Sequence, residues 1–275
     1  MNAGSVSNSK NSGEILVGIP GKTYTGNVGV SGGITGALLG GSISSCNNSG
    51  TVFSAVANSG GIVGSGSKGT ITNSYNIGYI YSDGQRSGGI IGFLAGSNIN
   101  DCWNSGAVLS KKAYSGGIAG DVNKGTIQQC YNTGIITSNS ELGYAGGIAG
   151  GIRSGSTATI STVYNSGSVT SKITETALEA AGGIVGIQQG GTISLAYNKG
   201  SVNADVVGGI AGQKSASAGS ISKTYYYTTS DITGIGSESD TYTEVTSTAD
   251  VPGKTDKVTD NINTYEEFLT WISQK

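Results

Sequence analysis

The chain has 275 residues, with 15 basic and 17 acidic side chains, no histidine, three cysteines, two prolines and 49 glycines. A net charge of −2 offers no basic field for nucleic acid, and the missing histidine excludes His-based catalysis and His-Glu-x-x-His zinc chemistry within the chain. An odd cysteine count argues against a full disulfide framework, and no apolar run is long enough for direct membrane insertion.

The first residues already lie inside a pattern. Ala3-Gly4-Ser5-Val6-Ser7 parallels Ala218-Gly219-Ser220-Ile221-Ser222, and Asn11-Ser12-Gly13 is an Asn-x-Gly turn. The chain therefore starts halfway through a repeat, which predicts part of a larger polypeptide; a missing signal peptide then says nothing about localisation. Further on, Ser59-Gly60-Gly61-Ile62-Val63-Gly64 returns 28 residues later as Ser87-Gly88-Gly89-Ile90-Ile91-Gly92, and after 28 more as Ser115-Gly116-Gly117-Ile118-Ala119-Gly120. A fixed period of this size predicts stacked units that each touch mainly their neighbours.

Each unit has two halves. Gly-Gly-Ile segments have their glycine pair starting at 32, 60, 88, 116, 146, 182 and 208. The second half is an Ile followed by Asn-x-Gly and then Val or Ile, with the Asn at 11, 48, 76, 104, 132, 165 and 198. Thr70-Ile71-Thr72, Thr159-Ile160-Ser161 and Thr192-Ile193-Ser194 alternate polar and apolar, the period of a half-buried strand. Glycine at this density would cripple helices but suits tight turns, and near-absence of proline suits backbone amides that pair along the whole array. One unit has too few apolar side chains, such as Ile62, Ile71, Tyr75 and Ile80, to fold alone. The expectation is all-β: a parallel β-solenoid (β-helix) of about eight ~28-residue coils over residues 1–227.

The tail, 228–275, changes character. Residues 228–260 are rich in Thr, Ser, Asp and Gly and read as loop or edge strands. Thr264-Tyr265-Glu266-Glu267 is a capping box, and Tyr265, Phe268, Leu269 and Ile272 share one helical face, predicting a helix near 264–274. An open array end exposes core and strand edges, so this helix is expected to cap the last coil; docking to a following domain is the alternative.

The Gly-Gly-Ile-x-Gly segment and runs such as Cys130-Tyr131-Asn132-Thr133-Gly134 and Val163-Tyr164-Asn165-Ser166-Gly167-Ser168-Val169 resemble the GLUG motif, a glycine-rich repeat of bacterial surface proteins. The resemblance covers about residues 3–228. It implies an exported bacterial array of the kind found in adhesins and in non-catalytic parts of immunoglobulin-A proteases, and it supplies no catalytic residues.

Most residues that stand out have structural explanations. Cys46, Cys102 and Cys130 share one repeat position, a small inward site that suits packed free thiols. The Asn column suits turn geometry and amide stacking, and the column Tyr75, Trp103, Tyr131, Tyr164, Tyr197 and Tyr225 suits core or partly buried stacking more than a sugar platform. The Ser/Thr ladder is too broken by Asn98, Asn100 and Gln128 to order water as ice-binding surfaces do. Gly182-Gly183-Ile184-Val185-Gly186 has no Gly-Lys-Ser/Thr ending of a phosphate loop, and residues 1–224 hold only eight acids, scattered over repeat positions.

No catalytic, cofactor or metal residues are therefore expected. Candidate ligand-binding residues are Tyr79 and Tyr81, which flank the inward Ile80 and point outward, with Tyr24, Tyr144 and Lys172 in insertions at 16–31, 137–145 and 170–181 that share one corner. The function expected is a non-catalytic, surface-exposed or secreted repeat protein acting as adhesin, stalk or display scaffold, partnered by a surface protein or glycan of a host or neighbouring cell. The alternatives are a carbohydrate-binding module and the non-catalytic array of an exported peptidase.

Overall fold

A computed structural model describes residues 1–22, 24, 29–140, 143–172, 179–227, 232–238, 255–258 and 260–274. Its regular structure is nearly all strand, in two parallel sheets, with one short helix at Tyr265–Ile272. Each strand lies beside its own counterpart in the neighbouring repeat. Ile71 pairs with Ile43 and Ile99, Ile99 with Ile127, Ile127 with Ile160, and Ile160 with Ile193. The smaller sheet takes one strand per repeat, from Ile15–Val17 through Ile80–Ser82 to Val202–Asn203. Insertions lengthen the connections without shifting the register, so Asn132 and Asn165 are 33 residues apart yet paired, where Asn76 and Asn104 are 28 apart.

Self-pairing stacks like on like. Ile62, Ile90, Ile118, Ile148, Ile184 and Ile210 are fully buried in the main core, with Cys46, Cys102 and Cys130 as free buried thiols. Val52, Ile80, Val108, Ile136 and Val169 form a second core behind the smaller sheet. Burial of each column at ~1.5–3 kcal/mol per side chain is the main favourable contribution.

The Asn column forms a continuous amide ladder. Asn48 Nδ2 donates to Asn76 Oδ1 (2.7 Å), Asn76 to Asn104 (2.8 Å), Asn104 to Asn132 (2.8 Å) and Asn132 to Asn165 (2.8 Å). Each Nδ2 spends its other hydrogen on the glycine carbonyl two residues ahead, as Asn104 does on Gly106 O at 2.8 Å. Glycine is required where this ladder passes under the Gly-Gly-Ile segment. A Cβ on Gly89 would meet Gly117 O at 2.1 Å and Asn104 Cγ at 2.4 Å. At another corner Asn73 and Asp101 take left-handed φ of 48° and 53°, which their short side chains tolerate. Thr162 and Leu195 take the same turn at 54° and 51° against their preference.

The helix departs from expectation. It begins as predicted, with Thr264 accepting from Glu267 N–H (3.1 Å) and Glu267 Oε2 accepting from Asn263 N–H (2.8 Å). It does not sit over the end of the ladder. Tyr265 stacks on Tyr131 (4.9 Å between ring centres), Phe268 packs against Tyr164 and Tyr197 (6.0 and 6.3 Å), and Trp271 meets Tyr197 and Tyr225 edge-on (5.7 and 4.8 Å). Eight residues span ~12 Å, and four ladder rows span ~14 Å, so the helix straps the flank along the stacking direction. The end rows are extended instead by Thr233–Glu238 and Thr255–Lys257, within the tail read as loop or edge strands; 239–254 lie outside the described residues. The aromatic column is thus outward-facing, and Tyr164 and Tyr197 are buried by the helix rather than by the core.

Two outcomes are expected. Asn104→Ala removes a buried donor and acceptor that serve Asn76, Gly106 and Asn132, and should cost ~2–4 kcal/mol, read as a lower Tm in a thermal melt. Burial pushes the Tyr197 phenol up to about 12, and its hydroxyl donates to Asp260 O (2.7 Å). Phe268→Ala should free the helix at a cost of ~3–5 kcal/mol and let Tyr197 titrate nearer the ordinary 10, read as phenolate absorbance against pH. Because the folded pKa is raised, helix docking in the parent chain is intact below 10 and is lost as pH climbs through about 12.

Candidate recognition site

On the smaller sheet, Ile80 points into the core and its neighbours Tyr79 and Tyr81 point out. Register places Tyr81 between Phe53 and Leu109, with Leu16 one row beyond Phe53. The rings gather: Tyr81 lies 5.1 Å from Phe53 and 6.1 Å from Tyr79, each pair stacked. Lys111 Nζ sits 5.1 Å from the centre of the Tyr81 ring and 2.9 Å from Asp83 Oδ1, and the Tyr81 hydroxyl donates to the same oxygen.

The first insertion is tied to this cluster. Gly21 N–H donates to Asp83 Oδ2 (2.7 Å), and Ile19 N–H donates to the Tyr24 hydroxyl (2.8 Å). The segment thereby crosses from the Leu16 row to the Tyr81 row, and the outward Phe53 beneath it is only 1% exposed. Its rim remains open to solvent: Leu16, Ile19, Tyr24 and Tyr79 are among the most exposed large apolar side chains. An apolar aromatic patch with one lysine and one carboxylate fixed at its edge can stack on a planar or sugar ring and orient it by hydrogen bonds.

The electrostatics follow from this packing. Burial raises the Asp83 carboxyl, but hydrogen bonds from Tyr81, Gly21 N–H and Lys111 outweigh it and hold the group below its ordinary range. Hydrogen bonding to Tyr81 and Asp83 raises Lys111, and burial raises both Tyr79 and Tyr81.

Tyr79 and Tyr81 therefore belong together with Phe53, Tyr24 stays within the first insertion beside Gly18 and Ile19, and the other two candidates do not join them. Tyr144 is 5% exposed, stacked under Tyr114 on the larger sheet, so it is a packing residue rather than a contact residue as expected. The reason is register: Tyr144 pairs with Tyr114 inside a ladder instead of projecting from a loop. Lys172 is exposed after Val169–Ser171, and 173–178 of its insertion lie outside the described residues. Sequence reasoning missed Phe53, Asp83 and Lys111. Counting 28 residues from Tyr81 back to Phe53 and forward to Leu109 would have shown the outward apolar column.

Among the described residues no group of three or more His, Cys, Asp or Glu is placed to hold a metal, and no helix is long and apolar enough to cross a membrane. No family model matches the chain, and no curated protein matches it. Among solved structures, a putative immunoglobulin A1 protease from Bacteroides ovatus is 19% identical, with a TM-score of 0.59 over 91% of this chain and 76% of that one. A likeness at that identity speaks for shared fold alone.

The tether gives a sharp expectation. Asp83→Asn removes the charge that Lys111 pairs with and weakens the acceptor for Gly21, so trypsin should cut faster after Lys22. In the parent chain the folded carboxyl titrates below its ordinary value. Its contribution is present above pH ~4 and fades as pH falls through the lowered value, read as loop release in proteolysis or amide exchange.

Proposed function

We propose that this chain is a GLUG-type parallel β-solenoid and a non-catalytic array of an exported bacterial protein, acting as an adhesin or display scaffold. The observation that carries the reading is the Tyr79–Tyr81 pair stacked on Phe53, an aromatic surface fixed on a self-paired ladder, with the first insertion tethered beside it through Gly21 and Asp83. A ladder whose every row is bonded to the next is a stiff support, and a preorganised aromatic patch binds with little ordering cost. The two solenoid faces would be the two parallel sheets, with the isoleucine columns between them. Contacts would be to a glycan or protein of a host or neighbouring cell.

A second reading, the non-catalytic array of an exported peptidase, is favoured by the likeness in fold to the putative immunoglobulin A1 protease. In that case a catalytic domain would lie elsewhere in a larger polypeptide.

Binding of the purified chain to an array of glycans and extracellular-matrix proteins tests the first reading. Saturable binding is expected, weakened at least about tenfold in the Tyr79→Ala/Tyr81→Ala double variant, the loss typical of a central aromatic contact. No saturable binding, or binding indifferent to both substitutions, would leave a spacer role in its place.

A further inference from the structure

The larger sheet carries a second cluster, on columns separate from the tyrosine patch. Asp121 is fully buried, and its Oδ2 accepts from Arg86 Nε (2.7 Å) and from Arg153 Nε (2.8 Å), with Arg153 Nη2 ion-paired to the same oxygen at 2.7 Å. Both guanidiniums also lie against one ring, with Arg86 Cζ 4.7 Å and Arg153 Cζ 4.8 Å from the centre of Phe93. Arg86 Nη1 donates to Asn58 Oδ1 (3.1 Å). The arginines are thus fixed in place by a carboxylate behind them and an aromatic face beside them.

One carboxylate does not neutralise two arginines. The pair lines an open groove of about 720 Å³ together with Lys112, Gln85, Gln189 and Tyr114. Among the described residues the groove wall holds three cations and no acid, with Asp121 sealed behind it. Among the described residues, each guanidinium keeps N–H groups that no protein acceptor uses. Glutamine amides and the Ser154 hydroxyl add neutral donors and acceptors, and the Tyr114 ring, stacked on Tyr144, adds a flat face. Room for that ring comes from Gly151, whose Cβ would stand 2.7 Å from Tyr114 Cε1.

We propose that this groove binds an acidic saccharide, with a carboxylate or sulfate group paired to Arg86 and Arg153 and the sugar ring lying along Tyr114, Gln85 and Gln189. Planar guanidiniums match the paired oxygens of both anions. The volume falls in the range of small-molecule sites, and amide, hydroxyl and aromatic groups are the partners that sugar hydroxyls and sugar faces require. The site is independent of the tyrosine cluster, so either assignment can fail without the other.

Titration calorimetry of the full chain decides it, with trigalacturonate and a heparin-derived hexasaccharide as acidic probes and maltotriose, inorganic sulfate and a tetraglutamate peptide as comparators. At least one acidic oligosaccharide should bind, more weakly as salt rises. Arg153→Gln and the exposed Lys112→Gln should each weaken it by about fivefold or more, the usual scale for one charge-assisted contact, while Tyr81→Ala leaves it unchanged. Lys112→Gln touches no buried group, so its effect stands even if Arg153→Gln loosens Asp121. The assignment falls if neither acidic oligosaccharide binds, if maltotriose, sulfate or tetraglutamate binds as tightly, or if both substitutions leave the affinity unchanged.

Discussion

A buried primary amide has two hydrogens to donate and an oxygen that must accept, and inside a β ladder its neighbour along the stack can meet one of each. The Asn column solves that problem by repetition: one hydrogen goes to the next asparagine, the other to the glycine carbonyl two residues on. Such a ladder works only in strict register, because a slip of one residue would bury an unpaired amide and turn the isoleucines outward. Backbone pairing, isoleucine stacking and the close approach at Gly89 all presuppose that register.

Fixed register leaves the connections free. Extra residues before Val30–Gly32 and between Val169–Ser171 and Ala180–Gly182 leave the core columns in register, and Gly21, in the first of these insertions, is what Asp83 captures. The helix uses the same regularity differently. Its hydrophobic face meets tyrosines that recur at the strand spacing, and its length matches four of them. Local sequence makes the helix, through Thr264 and Glu267, but the ladder decides where it docks.

Strands, repeat boundaries, inward cysteines and the amide column were all legible in the sequence, because each depends on a residue and its neighbours one period away. The helix was legible as a helix and misplaced as a cap, since amphipathicity says that a face is buried but not against what. Tyr144 was misassigned because a loop length was counted without asking which strand the tyrosine joins. Arg153 was overlooked for a related reason. Val122 pairs with Ile152 and Arg153 N–H still donates to Val122 O, but Thr126 pairs with Thr159, so three extra residues follow Arg153. Measuring the distance from each Gly-Gly pair to the following Asn, 16 residues in most repeats but 19 from Gly146 to Asn165, reveals this insertion.

Self-pairing also limits what chemistry such a ladder can display. A charge repeated at one position would face its copies every ~4.8 Å, and like charges that close repel. Charged groups must therefore come from departures from the repeat and must be compensated locally. Lys111 reaches across a row to Asp83, and Arg86 and Arg153 come from different columns and are held together by one buried carboxylate. Aromatic rings carry no such penalty and stack happily along the column, as Tyr75, Trp103 and Tyr131 do at 4.4 and 5.9 Å. The surface of this fold thus divides by physical necessity. Its repeated positions supply apolar and aromatic stripes, and the irregular positions, where the period breaks, supply the polar groups that could tell one ligand from another.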